Sequence, residues 1–491
     1  MFSVRGRGAA RRLVAAALVS GLVAAGAIGA AGSAAAAAEE GPGENGGAAA
    51  TLGRLKISDE VRITEKVNGQ DQIREESGGL FEMKVENGGN LQTYCIDLRT
   101  GAREGKKYKE VGWDQSSLHD NPDAGKILWI LENSYPNVSV GALADKAGVQ
   151  GLTQETAAAA TQAAIWRYSD KVDATPVDEK AQELTEYLYG HATRVKEPEP
   201  SLSLSSSSVA GRLGDRLGPI KIGTNAPGAA LSVVPGAPAG VAVVDEDGKA
   251  VTTAKDGDEV FVDVPKGTAD GTAEIKAEAT TKVPLGRAFV SVQGKSQTMI
   301  LAGSSNSTVT ASATAAWAKK GVIPAVTVAK DCAGGGLEVI ASNEGDEDWT
   351  FDLKGTSYTV AGGGTRTIPV RLAEDEAYNF TVTGPNGFEQ TFEGVLDCET
   401  ATPGPAPSGT ALTTEPSAPA SPSPSPAGGT AGGDTTGGTA GDTAGGTPGG
   451  GDLAATGSSN ATPMIAGIAV ALVVVGGGAV FFLRKKKTTD H

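Results

Sequence analysis

Histidine is scarce in this 491-residue chain: His119, His191 and His491 are all there is. A histidine-built metal cage is therefore nearly excluded, and a Ser/His/Asp triad would have to use His119 or His191. Aromatic residues make up 5% of the chain, while Gly (69) and Pro (25) are plentiful. Part of the sequence therefore cannot build a packed core. Basic charge is short as well, with Lys+Arg 42 against Asp+Glu 58 and a net charge of −16. That balance argues against a nucleic-acid surface, which must present basic patches to phosphate. Cysteines number three, so an exported chain would leave one thiol to be explained. The length allows about three domains once segments that do not fold are set aside.

Both ends read as addresses. Arg5, Arg7, Arg11 and Arg12 precede an apolar run from Leu13 to about Ala31, and the small residues Ala34 to Ala38 precede Glu39. Residues 1–38 are expected to be a signal peptide. A retained membrane anchor is the rival reading; the switch to an acidic, Gly-rich stretch favours cleavage. At the other end, Met464 to Leu483 is an uncharged run of 20 residues, about 30 Å as a helix and enough for one bilayer core. Arg484, Lys485, Lys486 and Lys487 follow and would hold that end in the cytoplasm. Leu453-Ala454-Ala455-Thr456-Gly457 stands just before the run. This order resembles a cell-wall sorting signal read by a sortase, in an LAxTG form. The resemblance implies cleavage between Thr456 and Gly457, with Thr456 joined to peptidoglycan. A single-pass anchor with a chance pentapeptide remains the alternative. Residues 401–452, rich in Pro, Gly, Ser, Thr and Ala, read as a disordered stalk.

The folded middle divides by pattern. Over 51–197, alternating strands such as Leu91 to Leu98 precede helices at 123–135, 154–169 and 178–189, an α+β head. Thr153 suits the N-cap of the second helix, and Ala157 to Ala160 raise its propensity. Residues 201–321 and 322–400 each read as an all-β, sandwich-like domain. Cys332 and Cys398 bracket the last of these. In an exported chain they are expected to pair, the alternative being two free thiols.

Cys95 is left without a cysteine partner. Its plain reading is a small buried hydrophobe. Tyr94-Cys95-Ile96-Asp97 and, on the Ala-rich helix, Thr161-Gln162-Ala163-Ala164-Ile165-Trp166 resemble the two motifs of the Cys–Gln thioester domains of Gram-positive surface adhesins. The resemblance covers about 50–197 and implies an internal thioester between Cys95 and Gln162. It also implies a target amine, most simply a Lys side chain on another surface protein, that opens the bond once. Ala158, Ile165 and Trp166 are spaced to share a face with Gln162, which points the amide inward. The acidic runs 245–247 and 344–348 lack EF-hand spacing, and no lysine-based isopeptide trio stands out. No metal and no cofactor are expected. The expected protein is a secreted, wall-anchored adhesin and not a turnover enzyme. The rival is a non-reactive spacer of the wall in which Cys95 and Gln162 are only core. An exported hydrolase is disfavoured, since the head shows no G-x-S-x-G.

Overall fold

The computed structural model describes residues 46–67 and 69–400. The signal peptide, stalk, sorting pentapeptide and membrane segment expected from the sequence lie outside them.

The head opens with a long hairpin, β1 (Ala49–Val67) and β2 (Gln70–Val85), paired from Ala50↔Val85 to Val67↔Gln70. Then come β3 (Asn90–Cys95) and β4 (Lys107–Val111), and the helices α1 (Ala124–Asn133), α2 (Val140–Ala147) and α3 (Gln154–Ser169). A short β5 (Asp173–Pro176) and α4 (Glu179–His191) complete the run. Helix α2 and strand β5 are additions to the elements expected from the sequence. The α2 caps are nevertheless local: the Ser139 side chain accepts from the Ala142 N–H, and Gly148 closes the helix at φ 71°.

The region after the head is β only among the described residues. It runs as β6 (Leu202–Leu204), β7 (Ser208–Arg212), β8 (Arg216–Thr224), β9 (Ala229–Val233), β10 (Ala242–Val244), β11 (Thr253–Ala254), β12 (Glu259–Asp263), β13 (Gly271–Lys282), β14 (Ala288–Ser291), β15 (Met299–Ser304) and β16 (Asn306–Ala318). Sheets of order β10-β12-β8-β6 and β11-β9-β13-β16-β7 enclose Leu217, Ile220, Val260, Val262, Ile275 and Val309. Strands β14 and β15 leave this arrangement. They enter the head sheet, whose order is β2-β3-β15-β14-β4-β1-β5 with β1 also paired to β2. The head strands β1, β2, β3 and β4 thus close into a ring only with β14 and β15 between β3 and β4. A cut between 197 and 201 separates head strands from their neighbours, so the head is not contained in 51–197. Closure leaves β3 and β4 no open edge.

The last unit holds β17 (Pro324–Asp331), β18 (Gly336–Asn343), β19 (Trp349–Leu353), β20 (Thr356–Val360), β21 (Gly364–Arg371), β22 (Ala377–Thr383) and β23 (Glu389–Val395). Its core gathers Trp349, Phe351, Phe380 and Phe388. Cys332 and Cys398 are joined across it, with Cα atoms 5.4 Å apart.

Helix α3 departs from the single inward face expected for it. Ala159, Ala163 and Trp166 pack with Cys95, Val61, Ile63 and Phe81. Ala158, Ala164 and Ile165 pack with Tyr94, Ile96, Ile127 and Leu131. A helix apolar on all sides is buried on all sides, and α3 lies between two cores with Gln162 where they meet.

Candidate functional site

Strand β3 ends on Cys95, which pairs with Met299 of β15, and the next N–H, Ile96, donates to the Thr298 carbonyl at 3.1 Å. Helix α3 is capped by Thr153, whose side chain accepts from the Thr156 N–H. With its start fixed, the helix carries Gln162 to β3. The Gln162 Oε1 accepts from the Cys95 N–H at 3.1 Å, and its Nε2 donates to the Cys95 carbonyl at 2.8 Å. Cys95 is 1% exposed and Gln162 0%. The two bonds meet the cost of burying an amide and clamp the carboxamide against the residue whose sulfur would attack it.

Close approach is what the local sequence provides. Ala159 and Ala163 let α3 settle onto the strands. On β2, a Cβ placed on Gly78 would lie 3.3 Å from the Gln162 Cγ and 2.7 Å from the Val61 Cγ2. Gly78 is therefore part of the site, although a Gly78-Gly79 pair in a sequence signals only a break before the next strand.

The site is acidic. Burial and then the Asp170 carboxylate push the Cys95 thiol well above its ordinary value; Asp97 and Glu76 add to this, and the Trp166 indole acts the other way. Asp170, the C-cap of α3, accepts from the Leu98 N–H at 2.9 Å and from Ser169 Oγ at 2.7 Å. Burial and the neighbouring Asp97 raise it to about 7. An Arg99–Glu65 pair at 2.8 Å joins this region to the β1–β2 hairpin, where Arg74 also pairs with Glu65. A thiol held neutral is a poor free nucleophile. What the arrangement offers is a sulfur and a carboxamide held together and sealed from water. Among the described residues, no group of three or more His, Cys, Asp or Glu could hold a metal ion.

Of the residues singled out by sequence, Cys95 and Gln162 are brought together, Cys332 and Cys398 are joined elsewhere, and Leu453, Ala454, Ala455, Thr456 and Gly457 are outside the described residues. Gly78 and Asp170 are further members of the site that the sequence did not mark.

Residues 92–194 match the model of the family described as "Thioester domain". The matched stretch contains both Cys95 and Gln162. Residues 324–395 match "Bacterial phospholipase C, C-terminal domain". No curated protein matches. Among solved structures, the thioester domain of the Enterococcus faecium TIE86 protein is 19% identical, covering 55% of this chain and 97% of that one, with a TM-score of 0.27. The Bacillus anthracis TIE protein is 16% identical, covering 72% and 81%, with a TM-score of 0.24. The N-terminal thioester domain of a surface protein from Clostridium perfringens is 17% identical, covering 30% and 89%, with a TM-score of 0.19.

Proposed function

We propose that this chain is a surface adhesin that attaches covalently to its target through an internal Cys95–Gln162 thioester. The observation that carries the reading is the pair of hydrogen bonds between the Gln162 carboxamide and the Cys95 backbone, inside a stretch that matches the thioester-domain family. The Cys95 sulfur attacks the Gln162 side-chain carbonyl carbon. The C–N bond breaks, and nitrogen leaves as ammonia with the thiol proton. The thioester is an acyl electrophile shielded from water by the burial of both residues. An incoming amine forms a C–N bond to the same carbon and releases the Cys95 thiol. The product is an amide, an isopeptide if the amine is a target lysine. Each molecule reacts once, so the reading is of a covalent tether and not of a turnover enzyme. No cofactor enters. The signal peptide, the LAATG pentapeptide from Leu453 to Gly457 and the basic-tailed apolar run support sortase-mediated attachment to peptidoglycan, with the stalk as spacer.

Intact mass tests the reading. The purified wild type should be lighter by about 17 Da, one ammonia, beyond the loss from the disulfide. Methylamine should add to it and expose one alkylatable thiol, Cys95. Cys95→Ala and Gln162→Ala should each abolish both effects, and the double variant should do no more, since the residues serve one bond. An unshifted wild-type mass with Cys95 alkylatable from the start would instead make the chain a non-reactive spacer.

A further inference from the structure

Both main-chain groups of Cys95 are turned to one side. The Ile96 N–H donates to the Thr298 carbonyl, so Ile96 and Thr298 form a bonded pair of the β3–β15 ladder. Bonded and unbonded pairs alternate along an antiparallel ladder. The next pair, Cys95↔Met299, is therefore an unbonded one, and the Cys95 N–H and C=O point away from β15. On the side to which they point, the β2–β3 ladder stops at Phe81↔Thr93. The Gln162 carboxamide takes the place of a further β2 residue and bonds to both groups, accepting from the N–H at 3.1 Å and donating to the carbonyl at 2.8 Å.

Forming the thioester changes that arrangement at one atom. Gln162 Oε1 is kept, and the Cys95 N–H still faces it. Nε2 departs as ammonia, and the Cys95 carbonyl loses the donor that the structure gives it. Cys95 is 1% exposed and Gln162 0%, so bulk water does not reach that oxygen, and a buried acceptor without its donor is disfavoured. Loss of ammonia and attack by an amine are one reaction run in opposite directions, apart from the substituent on nitrogen. The incoming nitrogen therefore passes through the position that Nε2 occupied, beside the same carbonyl.

We propose that the main-chain carbonyl of Cys95 receives the attacking amine, accepting one of its N–H bonds, and thereby selects primary amines. The proposal rests on the thioester reading and names the class of nucleophile that the bond accepts. A primary amine brings two N–H bonds. One is donated to the Cys95 carbonyl and turns the nitrogen towards the thioester carbon. The other supplies the proton that is lost: the C–N bond forms, the C–S bond breaks with its electron pair on sulfur, and the proton passes to that sulfur. The products are a neutral amide and the Cys95 thiol. A secondary amine has a single N–H, which can hold the carbonyl or be given up, but not both. An alcohol has the same shortage with its single O–H. A lysine side chain meets the requirement, and serine and threonine hydroxyls do not.

The test uses the full-length wild type, with its thioester verified by the ammonia loss. Second-order rates of Cys95 thiol release are measured with ethylamine, dimethylamine and azetidine, per free base at one pH. Each is divided by the rate of the same amine with a small S-alkyl thioester, which removes intrinsic nucleophilicity. Ethylamine and dimethylamine are isomers, so they match in size. Azetidine is a secondary amine with its carbons tied back, so it separates a lack of N–H from crowding at nitrogen. Ethylamine should be preferred over both secondary amines by about fivefold or more, the discrimination expected of one buried acceptor left unpaired. A smaller preference over either secondary amine overturns the role of the Cys95 carbonyl and leaves the thioester standing. A wild type without the ammonia loss overturns both.

Discussion

At Gly78 only a hydrogen atom fits between the β1–β2 hairpin and α3. The φ angle there is ordinary, so the glycine is required for space and not for conformation. Its neighbour Gly79 is as tightly placed, with an added Cβ 2.0 Å from the Ile57 carbonyl oxygen. Gly78→Ala should push against Val61 and Gln162 together. Overpacking of this kind costs about 1–3 kcal/mol, and here part of the strain should appear as displacement of the carboxamide from the Cys95 backbone. The expected outcome is a folded protein with a lower fraction of thioester by intact mass and a lower urea midpoint; an unchanged fraction would mean that Gln162 has room to give. The sequence marks Cys95 by its lack of a cysteine partner, and Gln162 by the resemblance of Thr161 to Trp166 to a thioester-domain motif and by the apolar face it shares with Ala158, Ile165 and Trp166. It hides Gly78, because a glycine needed for close approach looks like one needed for a turn.

Among the elements, those fixed by local chemistry are the ones the sequence reveals. Helix α3 has its cap at Thr153 and its alanines in one stretch, and α4 has its cap at Asp178, which accepts from the Ala181 N–H. The β14–β15 hairpin is different. Its strands look like those of any sandwich, and nothing within 288–304 states that their partners are β3 and β4, nearly two hundred residues earlier. A buried ion pair bridges the crossing. Arg287, just before β14, donates from Nε to the Glu110 Oε1 of β4 at 3.0 Å, and both side chains are at most 3% exposed. Glu110 also accepts from the Ala48 N–H at 2.9 Å and from the Ser201 N–H at 3.0 Å. One carboxylate thus ties the residue before β1, a head strand and the entry to β6 to the incoming hairpin. Arg287→Met would strand that carboxylate, and removing one partner of a buried pair costs about 3–5 kcal/mol. Urea unfolding should show a loss of that size, together with earlier proteolysis within 288–304. A loss below about 1 kcal/mol would show that the hairpin is held by its strand pairing alone.

On the scale of the molecule, the hairpin and the last unit meet at a buried carboxyl, and the head holds another. Asp397, next to Cys398, bonds to the Thr298 hydroxyl in the turn before β15, and burial raises its carboxyl to about 7, with Asp97 and Glu374 adding to the rise and Lys330 opposing it. Asp170, also at about 7, faces Asp97, Arg99, Ser169 and the Leu98 N–H. Neither value is legible in the sequence, where both residues look like surface acids; the burial that raises them comes from segments far apart in the chain. The sign follows from linkage. In the unfolded chain both carboxyls ionise near 3.8, and in the folded chain near 7. Between those values the folded state holds protons that the unfolded state has released, so stability falls as pH rises. The contribution is fully present below the unfolded value and is lost as pH passes through about 7. Glu65 is buried, but its pairing with Arg74 and Arg99 outweighs the burial and lowers it, so it acts only at more acidic pH. The unfolding free energy should therefore be greater at about pH 5 than at about pH 8. Asp397→Asn can still accept from Thr298 and cannot ionise; it should flatten the slope and raise the stability at the higher pH towards that at the lower. Urea midpoints across this range check both statements, and a wild-type midpoint that rises with pH would mean that the two carboxyls are not each buried as the structure places them.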